Sequence, residues 1–389
     1  MKIAFVVPWY GENIPGGAEA LCRNYVKQLV KRGCEVEVLT TCVKDFQSNW
    51  NESYFNEDDY VEKGVPVKRF QIKKGNHKVF NEINDKLIHR TRISVREERL
   101  WMSEGINSNR LYEYIADNHT KYKFIFIPYC FPIAYYGMRA SNNKGFLLPA
   151  LHNEGYAYMR LTNHLFQNAE GLIFNTKTEK DFAEKIYSLN GKRNIVLGVG
   201  INTDIKANPE KFREKFGIDP KFILYAGRKD KTKNVHSLIK LFDRYSRDEK
   251  KNIKLVLIGN GTIELPENDA IVDLGFLSEE DKYNVFGAAE VLCQPSLNES
   301  FSIVMTEAWF LGKAVVVDAR CDVTRNHCIE ANGGLYYSDY YEFREILNYL
   351  LDKPDVAKVM GENGRRFVLK NYQWNDIIGK FVQFICQED

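Results

Sequence analysis

The sequence predicts an α/β protein made of two doubly wound domains. Two observations carry this expectation. Short, continuously apolar, β-branched runs alternate with longer amphipathic stretches along nearly the whole chain, the pattern of parallel strands covered by helices on both faces. The runs also fall into two series, parted by the polar segment NTDIKANPEKFREKFGIDPK with Pro209, Gly217 and Pro220 as punctuation. Two series imply two sheets.

In chain order the first series is KIAFVV, EVEVLTT, VPVKRF, FIFIPY, GFLLPAL, EGLIFNT and NIVLGVG, ending at Gly200. The second is FILYAG, IKLVLIG, IVDLGF, VLCQPS, AVVVDA and GGLYY. The closing stretch NYQWNDIIGKFVQFICQED has a helical pattern and no strand after it. The expected organisation is therefore a domain over 1–200, a domain over 201–370 and a final helical segment over 371–389. A chain of 389 residues is long enough for both cores. A net charge of +2 with 27% charged residues gives no bulk attraction for nucleic acid. The eight cysteines show no C-x-x-C spacing, and Cys321, His327 and Cys328 read as ordinary loop residues rather than metal ligands. The opening apolar run is too short for a signal peptide, and no run reaches the roughly 18 to 20 apolar residues of a membrane span. A reducing cytoplasm is the expected location.

Ligands of open parallel sheets bind beyond the carboxyl ends of the strands, so the loops there hold the candidates. Gly16 and Gly17 precede an amphipathic helix, where paired glycines either make a tight turn or bring backbone N–H groups close to a ligand. No G-x-G-x-x-G is present, and Glu264 occupies the third glycine position after Gly259 and Gly261, so a nicotinamide-dehydrogenase fingerprint is absent. Gly259 lies where backbone could pass a flat ring. His152, at a strand end, is a structural histidine or a proton shuttle and hydrogen-bond donor. Arg228 and Lys233 are a solvated charge run, together with Lys229 and Lys231, or a cationic pair for a diphosphate. Glu299 lies in a loop and Glu307 on the apolar helix that follows. Two acids there suit hydroxyl donors of ribose and hexose rather than phosphate.

Taken in order, PGGAE, YAGRKDKTK, LVLIGNG and the block DLGFLSEEDKYNVFGAAEVLCQPSLNESFSIVMTEAWFLGKAVVV, with its E-x7-E pair on Glu299 and Glu307, resemble the family 4 glycosyltransferases along nearly the whole chain. The resemblance implies the GT-B fold, two facing Rossmann-like domains with an interdomain cleft. It implies that Arg228 and Lys233 hold the donor diphosphate and that Glu307 accepts bonds from the ribose hydroxyls. It implies that Glu299 contacts the transferred sugar, with Gly16 and Gly17 near the diphosphate and His152 near the reacting sugar. It further implies retention of anomeric configuration and no cofactor or metal, and no D-x-D stands at a strand end. Where the family often has E-G-F-G, this chain has Glu299-Ser300-Phe301-Ser302, two serines against the donor.

The acceptor implied is a glycan or glycolipid, in cell-surface polysaccharide or glycoconjugate synthesis. Residues 73–110 carry more Arg and Lys than acid. They read as a solvated helical face or as a peripheral contact with the inner face of a membrane carrying a lipid-linked acceptor. Tyr129, Tyr135 and Tyr136 either stack on sugar or pack in the core. A sugar-nucleotide epimerase, a phosphorylase with a pyridoxal lysine, and a non-catalytic nucleotide-sugar-binding protein remain alternatives.

Overall fold

The computed structural model describes residues 2–387 apart from 13 and 15. Backbone packing divides the chain into one unit that runs up to Gly198 and resumes at Asn375, and a second over Val199–Trp374. The changes of unit therefore fall at Gly198 and Trp374 rather than at 200 and 370. Residues 371–374 stay with the second unit because Gln373 bridges to Ile201 and Tyr372 packs on that unit's core.

The strands of the first unit are β1 (Lys2–Val6), β2 (Glu35–Thr41), β3 (Asp59–Glu62), β4 (Val65–Phe70), β5 (Tyr122–Phe126), β6 (Gly145–Leu147), β7 (Gly171–Phe174) and β8 (Asn194–Val196). They form one sheet in the order β3-β4-β2-β1-β5-β6-β7-β8. All neighbours are parallel except β3 with β4. β3 is absent from the sequence expectation. Its signal was the pair Lys63–Gly64, a two-residue turn with φ of 50° and 84° that suits a tight hairpin. Residues 73–110 hold helices at His77–Ile88 and Val95–Glu104, the second closed by a capping box of Ser94 and Glu97.

The second unit has β9 (Lys221–Ala226), β10 (Ile253–Ile258), β11 (Ile271–Asp273), β12 (Val291–Gln294), β13 (Ala314–Asp318) and β14 (Gly334–Tyr337). They are ordered β11-β10-β9-β12-β13-β14 and all parallel. The central strands are buried almost end to end, as in FILYA of β9 and AVVVD of β13, because helices cover both faces. In each unit the winding reverses once, between β1 and β5 and between β9 and β12. The connecting chains leave to opposite sides there, which opens a crevice at the carboxyl ends.

The closing helix Trp374–Cys386 packs onto the first unit through Phe381, against Phe5 and Tyr25, and through Phe384, against Phe146. Among the described residues no helix is long and apolar enough to cross a membrane. In the second unit Trp309 is fully buried and donates its indole N–H to the Gly333 carbonyl at 2.8 Å. Gly364 lies against the same ring, and a Cβ there would come within 2.1 Å of it. Gly364→Ala should therefore cost about 1 to 3 kcal/mol by overpacking. In urea titration its midpoint should fall well below the wild-type value. Gly17→Ala should not behave so, since a Cβ at Gly17 meets nothing within 4 Å.

Candidate functional site

The loop after β9 is built by its own polar groups. Asp230 accepts the Thr232 and Lys233 N–H groups at 2.9 and 3.1 Å and caps the short turn Lys231–Lys233. Arg228 makes an ion pair with the same carboxylate, Nε to Oδ2 at 3.3 Å. The Tyr225 hydroxyl donates to the Arg228 carbonyl at 2.5 Å. Asn234, at a left-handed φ of 55°, donates its side-chain amide to the Pro295 carbonyl at 3.0 Å, tying this loop to the one after β12. Lys233 and Glu299 consequently meet, Nζ to Oε1 at 2.7 Å, across the reversal point of the sheet.

Lys229 belongs to no solvated run. It is 4% exposed, and its ammonium is held by both oxygens of Asp273 at 2.6 and 2.7 Å. This pair, with Lys229 buried and Asp273 partly exposed, anchors the Arg228 loop to the end of β11. Gly259 is committed to the same anchoring. A Cβ on it would lie 2.0 Å from the Gly227 carbonyl, and its N–H donates to Gly275. Loop-on-loop packing by itself already requires a glycine here.

Beyond Glu299 the chain must turn sharply into the helix Ile303–Phe310. Ser302 makes the turn with φ 72° and ψ 76°, a left-handed conformation that favours glycine. Ser300 is not among the residues with positive φ. Among the described residues no side chain caps the helix N-terminus, and the positive end of the helix dipole faces the loop. Phe301 is buried and packs edge-on against His327 and Tyr372, with ring centroids 5.5 and 4.9 Å apart.

Glu307 is 7% exposed and does have partners inside the unit. Lys282 Nζ donates to its Oε1 at 2.8 Å, and the Tyr283 hydroxyl donates to the same atom at 3.1 Å. Both come from the helix Glu279–Ala288. Among the described residues no donor is directed at Oε2, so one oxygen is anchored and the other retains its accepting capacity. The sequence offered no signal that Lys282 and Tyr283 would be the anchors. Two adjacent residues on a helix of another strand crossover meet Glu307 only in the fold.

In the first unit Gly16 ends the loop after β1 as the N-cap of the helix Gly17–Lys31, Gly17 opens that helix, and His152 lies in the loop after β6. The inserted β3 makes the strand before His152 the sixth, not the fifth. Gly16 has φ 142°, and a Cβ on it would meet the Glu19 carboxylate at 1.9 Å. Glu19 itself accepts the Trp9 indole N–H at 2.6 Å. His152 is partly buried with Nδ1 3.7 Å from Glu154 Oε1. Tyr129 and Tyr135 lie in the core, and Tyr136 packs its ring on Tyr112 and Tyr135. The stacking expectation for these tyrosines is thus replaced by core packing. Phe46, in the loop after β2, is an exposed ring at this end of the sheet and joins Trp9 and Trp50 at 6.0 and 5.9 Å.

Cys321 precedes the helix Asp322–Ala331, which carries His327 and Cys328, so the latter two are helical rather than loop residues. Among the described residues no three His, Cys, Asp or Glu side chains gather as a metal site.

Solved structures with this architecture are similar over almost the full chain. Sucrose-phosphate synthase of Thermosynechococcus elongatus has a TM-score of 0.73 at 15% identity, covering 98% of this chain and 97% of its own. The Anabaena protein HepE in complex with UDP-glucose has a TM-score of 0.70 at 15% identity and covers 98% of both chains. The fold is GT-B. Residues 208–367, most of the second GT-B unit, match the family described as glycosyl transferases group 1. An uncharacterized glycosyltransferase of Methanocaldococcus jannaschii is 24% identical over 406 aligned positions, which cover 98% of this chain and 97% of its own.

His327 gives this unit a pH dependence. It sits among Phe301, Trp309, Phe367 and Tyr372 with no partner for Nε2, and burial pushes its pKa down to about 4. A base whose folded pKa is depressed contributes stability above its unfolded value near 6.5, and loses it as pH falls toward 4. The wild-type protein should lose up to about 3 kcal/mol from this group over that window. His327→Met has no proton to gain. Calorimetry between pH 7 and 4 should show a shallower decline of its melting temperature.

Proposed function

We propose that the chain is a retaining, metal-independent family 4 glycosyltransferase that moves a hexose-type sugar from a nucleotide diphosphate sugar to a glycan or lipid-linked acceptor. The observation that carries this is the meeting of Lys233 with Glu299 at the reversal point of the second sheet, beside a helix N-terminus that no side chain caps. A cation, a helix N-terminus without a side-chain cap and a carboxylate in one place suit a ligand with a diphosphate at one end and hydroxyls at the other. The group 1 match lies over the same residues. HepE, of the same fold, was solved with UDP-glucose, which makes uridine diphosphate sugars the first donors to try.

In this reading Arg228 and Lys233 hold the diphosphate. Both face growing negative charge as the glycosidic bond breaks, which favours the transition state over the bound donor. Glu299 contacts the transferred sugar. Glu307, fixed through Oε1 by Lys282 and Tyr283, offers Oε2 to the ribose diol. Ser300 and Ser302 line the donor loop, with Phe301 as its apolar anchor. The family resemblance assigns Gly16 and Gly17 to the diphosphate and His152 to the reacting sugar. The leaving group is stabilised by side-chain cations and backbone N–H groups. Synthesis of a cell-surface glycan on a lipid-linked acceptor, from the cytoplasmic side, fits one further feature. Ile88 is 60% exposed, and Leu100 also reaches solvent, among the exposed Arg92, Arg96 and Arg99, a surface suited to an anionic membrane.

The test begins with thermal shift on a panel of UDP-, GDP- and ADP-sugars. A donor at 100 times its Kd should add about 2.7 kcal/mol of stability. If no member of the panel stabilises the protein, the reading is lost. With the donor in hand, Lys233→Met should lower kcat by about 2 to 4 kcal/mol, as for loss of an oxyanion donor. Glu307→Gln should raise donor KM more than it lowers kcat, because the ribose does not change in the reaction. Lys282 is 29% exposed and stays solvated when its partner becomes neutral, so Glu307→Gln should cost only about 1 kcal/mol of stability. Turnover should persist in EDTA, and product NMR should show the anomer of the donor. Inversion, or activity restored only by Mg²⁺ or Mn²⁺, would overturn those parts.

A further inference from the structure

The chain around His152 is held more firmly than a surface loop requires. Ala150 sits at a left-handed φ of 51°. Glu179, fully buried, accepts the Leu151 N–H on one oxygen and the Asn175 N–H on the other, both at 2.6 Å. Burial pushes its carboxyl up to about 7, although those bonds and the nearby His152 oppose the rise. Arg90 donates to the Asn153 carbonyl at 2.5 Å, and the Tyr158 hydroxyl donates to the Asn153 side chain at 2.9 Å. The Glu154 N–H turns back to the His152 carbonyl at 2.9 Å. Each residue from 150 to 154 is thereby constrained.

Glu154 faces the imidazole. Its Oε1 lies 3.7 Å from His152 Nδ1 and accepts the Tyr129 hydroxyl at 2.8 Å. Tyr129 is buried in the core, so the carboxylate has a fixed post. Burial opposes its charge, but His152, Tyr129 and Arg90 together outweigh that and hold the carboxyl below its ordinary value. An anion beside Nδ1 favours a proton on that nitrogen.

We propose that Glu154, held by Tyr129, is a positioning residue for His152: it keeps the proton on Nδ1 and makes Nε2 the atom through which the ring acts. The inference rests on the reading of His152 as the residue beside the reacting sugar. It adds which nitrogen acts and what fixes it. In the neutral ring Nε2 is then an acceptor, and in the protonated ring a donor. Glu179 fixes the backbone through the Leu151 and Asn175 N–H groups. The charged and titratable groups around the imidazole are Glu154, Glu179 and Tyr129, with Arg90 acting on Glu154.

The test uses the free protein and needs no substrate. Nitrogen NMR of ring-labelled histidine reads both tautomer and titration midpoint, and His152→Gln identifies the signal among seven histidines. The wild-type ring should be protonated on Nδ1 when neutral. Glu154→Gln, which keeps an acceptor but no charge, should lower the proton affinity of His152 about tenfold. Glu154→Ala should also release the ring to the Nε2–H tautomer, and Tyr129→Phe should shift the midpoint in the same direction by less. An Nε2–H tautomer in the wild type, or a midpoint that moves less than twofold in both Glu154 variants, would overturn the proposal. The two readings fail separately. A protein that no nucleotide sugar stabilises can still show the Nδ1–H ring, and a good transferase can lack it.

Discussion

The ion pair between Lys233 and Glu299 crosses the one place in the second sheet where neighbouring strands are not consecutive in their winding. β9 and β12 send their following chains to opposite faces, so the loops diverge and leave polar backbone exposed between them. A charge on each side must be held against this divergence. Asp230 caps the turn that carries Lys233, Asn234 reaches across to Pro295, and Ser302 bends the chain back into its helix. Below them the Lys229–Asp273 pair fixes the loop root. A diphosphate placed there would face Lys233 already tethered, and the side-chain entropy of the lysine would already be spent.

Buried carboxylates recur in both units, and most of them serve the backbone. Glu98 accepts the Arg160 and Leu161 N–H groups at 3.0 Å each, capping the helix Arg160–Asn168 from outside the chain segment. Glu179 does the same for two loops at once. Such acids are satisfied on both oxygens, as burial of charge demands. Glu307 differs because Lys282 and Tyr283 converge on a single oxygen. Glu154, only partly buried, differs because one of its contacts is a titratable ring. A buried acid with accepting capacity left over is the kind that can serve a ligand or another side chain, and the count of donors per oxygen separates the two groups.

Much of this was legible in the sequence. Continuous apolar runs located thirteen of the strands because parallel strands covered on both faces have no polar side to blur them. Gly16, Gly17, His152, Arg228, Lys233, Glu299 and Glu307 were legible as strand-end residues. β3 was not, because its exposed DYVE carries no apolar run and only the Lys63–Gly64 turn announces it. Lys229 read as part of a charge run, since a sequence does not show which of four neighbouring cations finds a carboxylate 44 positions away.

By itself the sequence determined the two sheets, the loops that bear the polar groups and the residue types in them, because strand burial and helix amphipathicity are periodic and local. Only the tertiary structure decided which of those groups meet. Lys233 finds Glu299 through strand order. Glu307 finds Lys282 through the packing of two helices. Glu154 comes beside His152 because its N–H turns back onto the His152 carbonyl, and Gly259 packs against Gly227. Hydrogen bonds and ion pairs act over about 3 Å, while the chain separations they span here reach 66 residues. Periodicity carries no information at that range.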